Sequence, residues 1–174
     1  DGFTVFVKDA VIGDTVTAKI MKAKKSYGYG RLMEILQPSP YRVEPLCPSA
    51  RQCGGCQLQA VSYEEQKAFK EKKLRGHLER IGGFKELPME PLIGMDEPYH
   101  YRNKAQFPVG RNKEGRIVTG FYAGRTHAII ENRDCALGIP QNKEVLDRVI
   151  AHMEKYNIAP YDEMTGKGLV RHIF

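Results

Sequence analysis

Apolar and polar residues alternate with a period of two over Phe3 to Val7 and again over Thr15 to Ile20, which predicts two short strands joined at the tight turn Gly13-Asp14. A third strand, Tyr29 to Leu36, follows a turn marked by Gly28 and Gly30. The pattern then breaks. Pro38, Pro40, Pro45 and Pro48 each fix φ and remove a backbone donor, so residues 38–46 read as a stiff connector and a domain boundary. Past the connector the period becomes helical. Phe69, Leu74, Leu78 and Ile81 form an apolar stripe, and Lys67, Lys70, Lys72, Lys73 and Arg75 crowd the other face. Ser62 and Glu65 have capping-box spacing, and Gly82-Gly83 supplies the stop.

Two further runs, Ala105 to Val109 and Arg116 to Tyr122, flank Asn112-Lys113-Glu114-Gly115, a hairpin turn with Gly at the left-handed position. Thr126 to Glu131 reads as the next strand and delivers the chain to Cys135. A second helix opens at Pro140 and buries Leu146, Val149, Ile150 and Met153, and Leu169 to Phe174 again has strand character. The expected class is α+β: a partial small β-barrel followed by an α+β domain. Three strands are too few for a closed barrel of the oligonucleotide-binding type, which takes about five. With no initiator Met before a strand that starts almost at once, the natural N-terminus is expected upstream of Asp1.

With 174 residues, 41% hydrophobic and 28% charged, the chain has room for one ordinary domain or two small ones. No apolar run approaches the length of a membrane span and no secretory leader is visible, so the expected compartment is cytoplasmic and no membrane partner is expected. The formal net charge of +6 favours a polyanionic partner without naming one.

The strongest chemical signal is Cys47-x5-Cys53-x2-Cys56 with a fourth thiol far downstream at Cys135. Three clustered thiolates and a remote one can close a tetrahedral sulfur site, and Gly54-Gly55 can bring amide groups close to sulfur through positive φ. An iron-sulfur centre is the leading reading; zinc, disulfides and buried thiols are the others. The paired CxxC knuckles of structural zinc are not present, nor is the C-x3-C-x2-C spacing of radical S-adenosylmethionine chemistry.

Basic and aromatic residues interleave at Lys22, Lys24, Lys25, Tyr27, Tyr29 and Arg31, which suits a strand pair offering charge to phosphates and rings to bases. The same lysines could simply guard a hairpin edge against aggregation. A second candidate is Tyr101-Arg102-Asn103-Lys104-Ala105-Gln106, whose polar side chains bond base edges and phosphates, or else pair with acids and cap a strand. The lysine face of the first helix reads as solvated. His127, alone in a strand, reads as packed or surface, and His77, His100, His152 and His172 carry less signal still. No dinucleotide fingerprint, phosphate loop or serine elbow occurs, so these residues look like a binding and positioning unit.

Cys47-x5-Cys53-Gly54-Gly55-Cys56-Gln57-Leu58-Gln59, Tyr101-Arg102-Asn103-Lys104 and Gly120-Phe121-Tyr122-Ala123 leading to Cys135 together resemble the bacterial RNA (uracil-5-)-methyltransferase family, across essentially the whole chain. The resemblance implies that residues 1–38 are the later strands of a TRAM domain, a small RNA-binding barrel, N-terminally incomplete. Residues 39–46 would be the linker and 47–174 a central domain in which Cys47, Cys53, Cys56 and Cys135 hold a [4Fe-4S] cluster. It implies methylation of uridine C5 with S-adenosylmethionine, through thiolate addition at C6 and removal of the C5 proton by a carboxylate. Those groups and the donor pocket belong to a C-terminal domain expected to be absent here, so no residue is assigned as catalytic and the fragment alone is expected to be inactive.

What it leaves to this chain is holding RNA while a base leaves its stack. Arg102, Asn103, Lys104 and Gln106 are the expected contacts near that base, with Tyr122 and Arg125 as further candidates and Lys22, Lys24, Lys25 and Arg31 on the barrel. The expected RNA is 23S ribosomal RNA, with transfer RNA next; a rival reading is a free-standing iron-sulfur or zinc RNA-binding module.

Overall fold

The computed structural model describes residues 2–174, which divide into two compact units: residues 2–45 with Gln57–Gly94, and Leu46–Cys56 with Met95–Phe174. The first unit carries strands β1 (Thr4–Lys8), β2 (Thr15–Ala23) and β3 (Tyr27–Gln37) and helix α1 (Tyr63–Arg80). The second carries β4 (Phe107–Arg111), β5 (Ile117–Tyr122), β6 (Ile129–Glu131), α2 (Gln141–Lys155) and β7 (His172–Ile173). The mixed α+β class expected from the alternating periods is what the chain adopts. No helix among the described residues is long and apolar enough to cross a membrane.

In the first unit the sheet order is β1-β3-β2, with β1 parallel and β2 antiparallel to β3. Cross-strand partners share a face, so the register sorts the side chains. Phe6 lies opposite Tyr29, Thr4 opposite Tyr27, and Lys8 opposite Arg31. On the reverse face Gly30 leaves room for Val5, Val7 and Ala18, whose side chains would stand 3.1–3.5 Å from a Cβ there.

The Pro-rich stretch is bonded into this unit. Asp14 accepts from the Val11 and Ser39 amides at 2.7 and 2.8 Å and is paired with Arg42. Val43 N–H donates to Ala60 O, and Ser62 N–H to Tyr41 O at 2.8 Å. That last bond is why the capping box expected at Ser62 and Glu65 does not form. The Ser62 amide that Glu65 would have to receive is already donated, and the Ser62 hydroxyl makes no capping bond. Helix α1 ends as expected before Gly82-Gly83, where Phe84 N–H reaches back to Leu78 O at 3.2 Å. None of its residues is buried; of the expected stripe, Leu74 and Ile81 are 53% and 82% exposed.

The second unit has the antiparallel order β6-β5-β4-β7 with α2 against the sheet. Its core is Val109, Ile117, Ile150 and Met153, with Val149, Ile158, Val170 and Ile173 packed around them, and Leu146 is 1% exposed. Burying several aliphatic side chains of this size, at about 1.5–3 kcal/mol each, is the main source of its stability. The β4–β5 hairpin closes as expected, with Gly115 at φ +79° and Asn112 Oδ1 accepting from the Glu114 and Arg116 amides.

Strand β6 is shorter than the expected Thr126–Glu131, because residues 123–128 are spent on a turn. Thr126 N–H bonds Ala123 O, Ala123 N–H bonds Ala128 O, and Arg125 sits at φ +63°. Strand β7 keeps only two of the six residues expected. Before it, residues 158–170 are taken up by a loop in which Leu169 N–H donates to Ala159 O and Tyr161 N–H to Val170 O.

Candidate cysteine centre and nucleic-acid surfaces

All four cysteines lie in the second unit, on loops rather than on helices or strands. Residues 47–53 coil tightly: Ala50 N–H donates to Cys47 O, and the Gln52 and Cys53 amides both donate to Ser49 O. The loop then docks on the β5–β6 turn, where Gly54 N–H donates to Tyr122 O at 2.9 Å and Cys53 pairs with Ala123. The glycine pair works differently from the sequence expectation. Neither Gly54 nor Gly55 has positive φ. Gly54 is there for close approach, since a Cβ would stand 3.0 Å from the Gly124 backbone and from Tyr122 O. Gly55 does present its amide to Cys53 Sγ, at 3.4 Å.

Asn132, at the end of β6, donates through Nδ2 to Cys47 Sγ at 3.5 Å, and the chain then turns at Cys135, whose carbonyl accepts from Gly138 N–H. Cys47 is buried; Cys53, Cys56 and Cys135 are half-buried. Burial pushes the Cys53 thiol up, and the neighbouring Cys56, Cys47 and Cys135 push it the same way against the lowering effect of the Gly55 amide. Of the clustered three, Cys53 is the thiol on which the remote Cys135 acts. Among the described residues, no three His, Cys, Asp or Glu side chains are set in a closed metal-binding group. The donor chemistry, four thiols with an amide and a carboxamide directed at sulfur, nonetheless suits a thiolate-bound centre.

The remaining candidates fall on three surfaces. On the first unit, Phe6, Tyr27 and Tyr29 form a triangle of rings with centroids 5.6–6.0 Å apart, and Phe6 is 55% exposed. Lys22 lies opposite Tyr29, and Arg31 is flanked by Lys8 on β1 and Lys19 on β2. Lys24 and Lys25 occupy the β2–β3 turn, closed by Lys24 N–H to Tyr27 O. Phe6, Lys8 and Lys19 escaped sequence reasoning because only the strand registers, parallel for β1–β3 and antiparallel for β2–β3, set them beside Tyr29 and Arg31.

On the second unit, Asn103 and Lys104 line a cleft of about 180 Å³ together with Asn142 and Phe174. Arg102 is half-buried beside it, its N–H donating to Leu137 O at 2.8 Å, and Gln106 is exposed. Tyr122 lines a separate cleft of about 560 Å³. Arg125 is exposed on the β5–β6 turn and does not line that cleft. His127, expected on a strand, is instead in that turn and stacks on Tyr122 with centroids 5.0 Å apart and planes 22° from parallel.

No protein-family model matches the chain. Curated relatives do, along nearly its whole length. It is 43% identical over 173 residues to an uncharacterized RNA methyltransferase of Halalkalibacterium halodurans, covering 99% of this chain and 38% of that protein. It is 44% identical over 175 residues to an uncharacterized RNA methyltransferase of Clostridium acetobutylicum, again covering 99% of this chain and 38% of the other. The chain is related to RNA methyltransferases. It spans a little over a third of their length. The fold is also that of part of a solved structure, the tRNA (uracil-54, C5)-methyltransferase of Pyrococcus abyssi in complex with S-adenosyl-L-homocysteine. There the TM-score is 0.70 at 22% identity, over 97% of this chain and 37% of that one.

Proposed function

We propose that these residues are the RNA-holding, iron-sulfur-bearing part of an S-adenosylmethionine-dependent RNA methyltransferase that acts on C5 of a uridine, with 23S ribosomal RNA as the first substrate to test and transfer RNA the second. The observation that carries this reading is the 43% identity to RNA methyltransferases over 99% of the chain. The residues themselves add a physical reason. Arg31 lies between Lys8 on β1 and Lys19 on β2, which gathers basic side chains able to meet phosphates on one stretch of the sheet. The adjoining Phe6-Tyr27-Tyr29 triangle offers ring faces to unstacked bases. We assign residues 1–38, which carry this sheet, to a TRAM-like barrel, 39–46 to a linker and 47–174 to the central domain.

Cys47, Cys53, Cys56 and Cys135 are the residues that would hold the [4Fe-4S] cluster. When bound it would supply a structural cross-link between the loop before α1 and the segment after β6. The Gly55 amide and the Asn132 carboxamide already point at sulfur and would stabilise ligating thiolates. No residue here is assigned to methyl transfer. Arg102, Asn103, Lys104 and Gln106 would position RNA near the target base.

The test is fluorescence anisotropy of the chain with labelled structured ribosomal RNA over a salt series. Binding is expected, with log K falling linearly as log salt rises. No binding at low salt would overturn the RNA-holding role.

A further inference from the structure

The larger cleft of the second unit lies between the β5–β6 turn and residues 159–171, and its volume of about 560 Å³ falls in the range of small-molecule sites. One wall is aromatic. The His127 side chain is 71% exposed although it stacks on Tyr122, so that its outer face is open to solvent. Its ring is held in place, with Nδ1 2.7 Å from Glu163 Oε2. The lining beside it is cationic. Arg171 donates to Glu163 Oε1 at 2.9 Å and lies 5.3 Å over the Tyr161 ring, and Arg111 and Lys167 extend the positive rim.

The two carboxylates in the cleft are engaged. Glu163 bridges His127 and Arg171, and Asp162 accepts from the Met164 amide and the Thr165 hydroxyl of its own loop, each at 2.9 Å. An oriented ring with an open face, a second ring capped by a guanidinium and a rim with three cations match a base with its phosphate better than they match an apolar ligand.

We propose that this cleft binds one unpaired nucleotide of an RNA strand, the base stacking on His127 and the phosphate drawn to Arg171 and Lys167. The inference rests on the RNA-holding role above and adds to it a second, local contact away from Asn103 and Lys104. Glu163 bonds both the imidazole and the guanidinium.

The test is titration of the chain with a labelled oligouridylate, and separately with uridine monophosphate, using wild type, His127→Ala, His127→Phe and Lys167→Gln. His127 and Lys167 are exposed, so these variants are expected to melt like wild type. His127→Ala should weaken oligouridylate binding about 5-fold or more, while His127→Phe, which keeps a ring but loses the Glu163 bond, should stay within about 2-fold of wild type. Lys167→Gln should lower the salt slope by about 0.7. Binding by wild type with no change in either His127→Ala or Lys167→Gln would overturn the cleft while leaving the RNA-holding role intact. Absence of any wild-type binding would overturn both. Uridine monophosphate binding as tightly as the strand would overturn the strand as the ligand.

Discussion

Asp14 and Arg42, 28 residues apart in the chain, are joined through both carboxylate oxygens: Arg42 Nε lies 3.0 Å from Oδ1 and 3.2 Å from Oδ2, and Nη2 also donates to Oδ2. The Asp14 side chain is 1% exposed and the Arg42 side chain 19%. The pair ties the Gly13-Asp14 turn to the Pro-rich stretch. Asp14→Ala would leave the Ser39 amide and much of the guanidinium without their acceptor, and the expected cost is about 3 kcal/mol, the low end for breaking a buried pair because Arg42 keeps some access to water. The shift of the urea midpoint against wild type measures it.

The same carboxylate sets an acid dependence. Its side-chain hydrogen bond with Arg42, aided by the Ser39 and Val11 amides, outweighs burial and holds its pKa far below the ordinary value of 3.8. The unfolded chain therefore takes up a proton in acid that the folded one does not. This contribution is fully present above about pH 5 and is lost progressively as pH falls through and below the unfolded value. Urea midpoints of wild type should fall across that acid window, and Asp14→Asn should show a shallower fall.

Gly120, within the Gly120-Phe121-Tyr122-Ala123 motif, has no room for a side chain. A Cβ would stand 2.0 Å from Ile130 O and 2.6 Å from the Asn132 amide nitrogen. Gly120→Ala must spread the β5–β6 pair and is expected to cost about 3 kcal/mol, at the upper end for overpacking. Gly115→Ala, at φ +79° with open space around it, should cost about 1 kcal/mol. Thermal unfolding of the two variants side by side tests the contrast.

On the proposal that the four thiols hold a cluster, replacing Cys135 with Ser should strip most of the iron and sulfide from anaerobically purified chain and lower its visible absorbance, because Cys135 would be the one ligand from outside the Cys47–Cys56 loop. Iron, zinc and acid-labile sulfide analysis checks this. Undiminished iron would remove Cys135 from the site, and zinc without sulfide in wild type would replace the cluster with a zinc centre.

Changing both Arg31 and Lys19 to Gln should reduce the salt slope of RNA binding by about 1.4 to 1.8, because two fewer phosphates would be neutralised. It should also leave thermal stability unchanged or slightly raised, since like charges facing each other across a sheet are relieved. Anisotropy over a salt series and a melting curve give the two readouts. Arg102→Ala with Lys104→Ala, on the second unit, should likewise flatten the slope.

Local rules carried well where neighbours in sequence decide the outcome. The period-two runs located all three strands of the first sheet, the Asn112–Gly115 turn formed, and α2 opened after Pro140 with Leu146, Ile150 and Met153 inward. They failed where a distant partner claimed the same atom. Ser62 kept its N-cap position but gave its amide to Tyr41, and the run from Thr126 surrendered three residues to a turn. Helix α1 formed where the stripe predicted a helix, but its apolar residues are only weakly segregated to one face and none of its residues is buried.

By itself the sequence determined the α+β class, the two helices, the thiol inventory and the kinship with RNA methyltransferases, because periodicity, turn chemistry and residue identity act over short range or are simply written in the chain. Only the tertiary structure decided that Gly54 serves close approach rather than positive φ. It also set Lys8 and Lys19 beside Arg31 and turned His127 outward onto Tyr122. Those are outcomes of strand register and loop docking, which depend on how segments pair and pack and which no local pattern encodes.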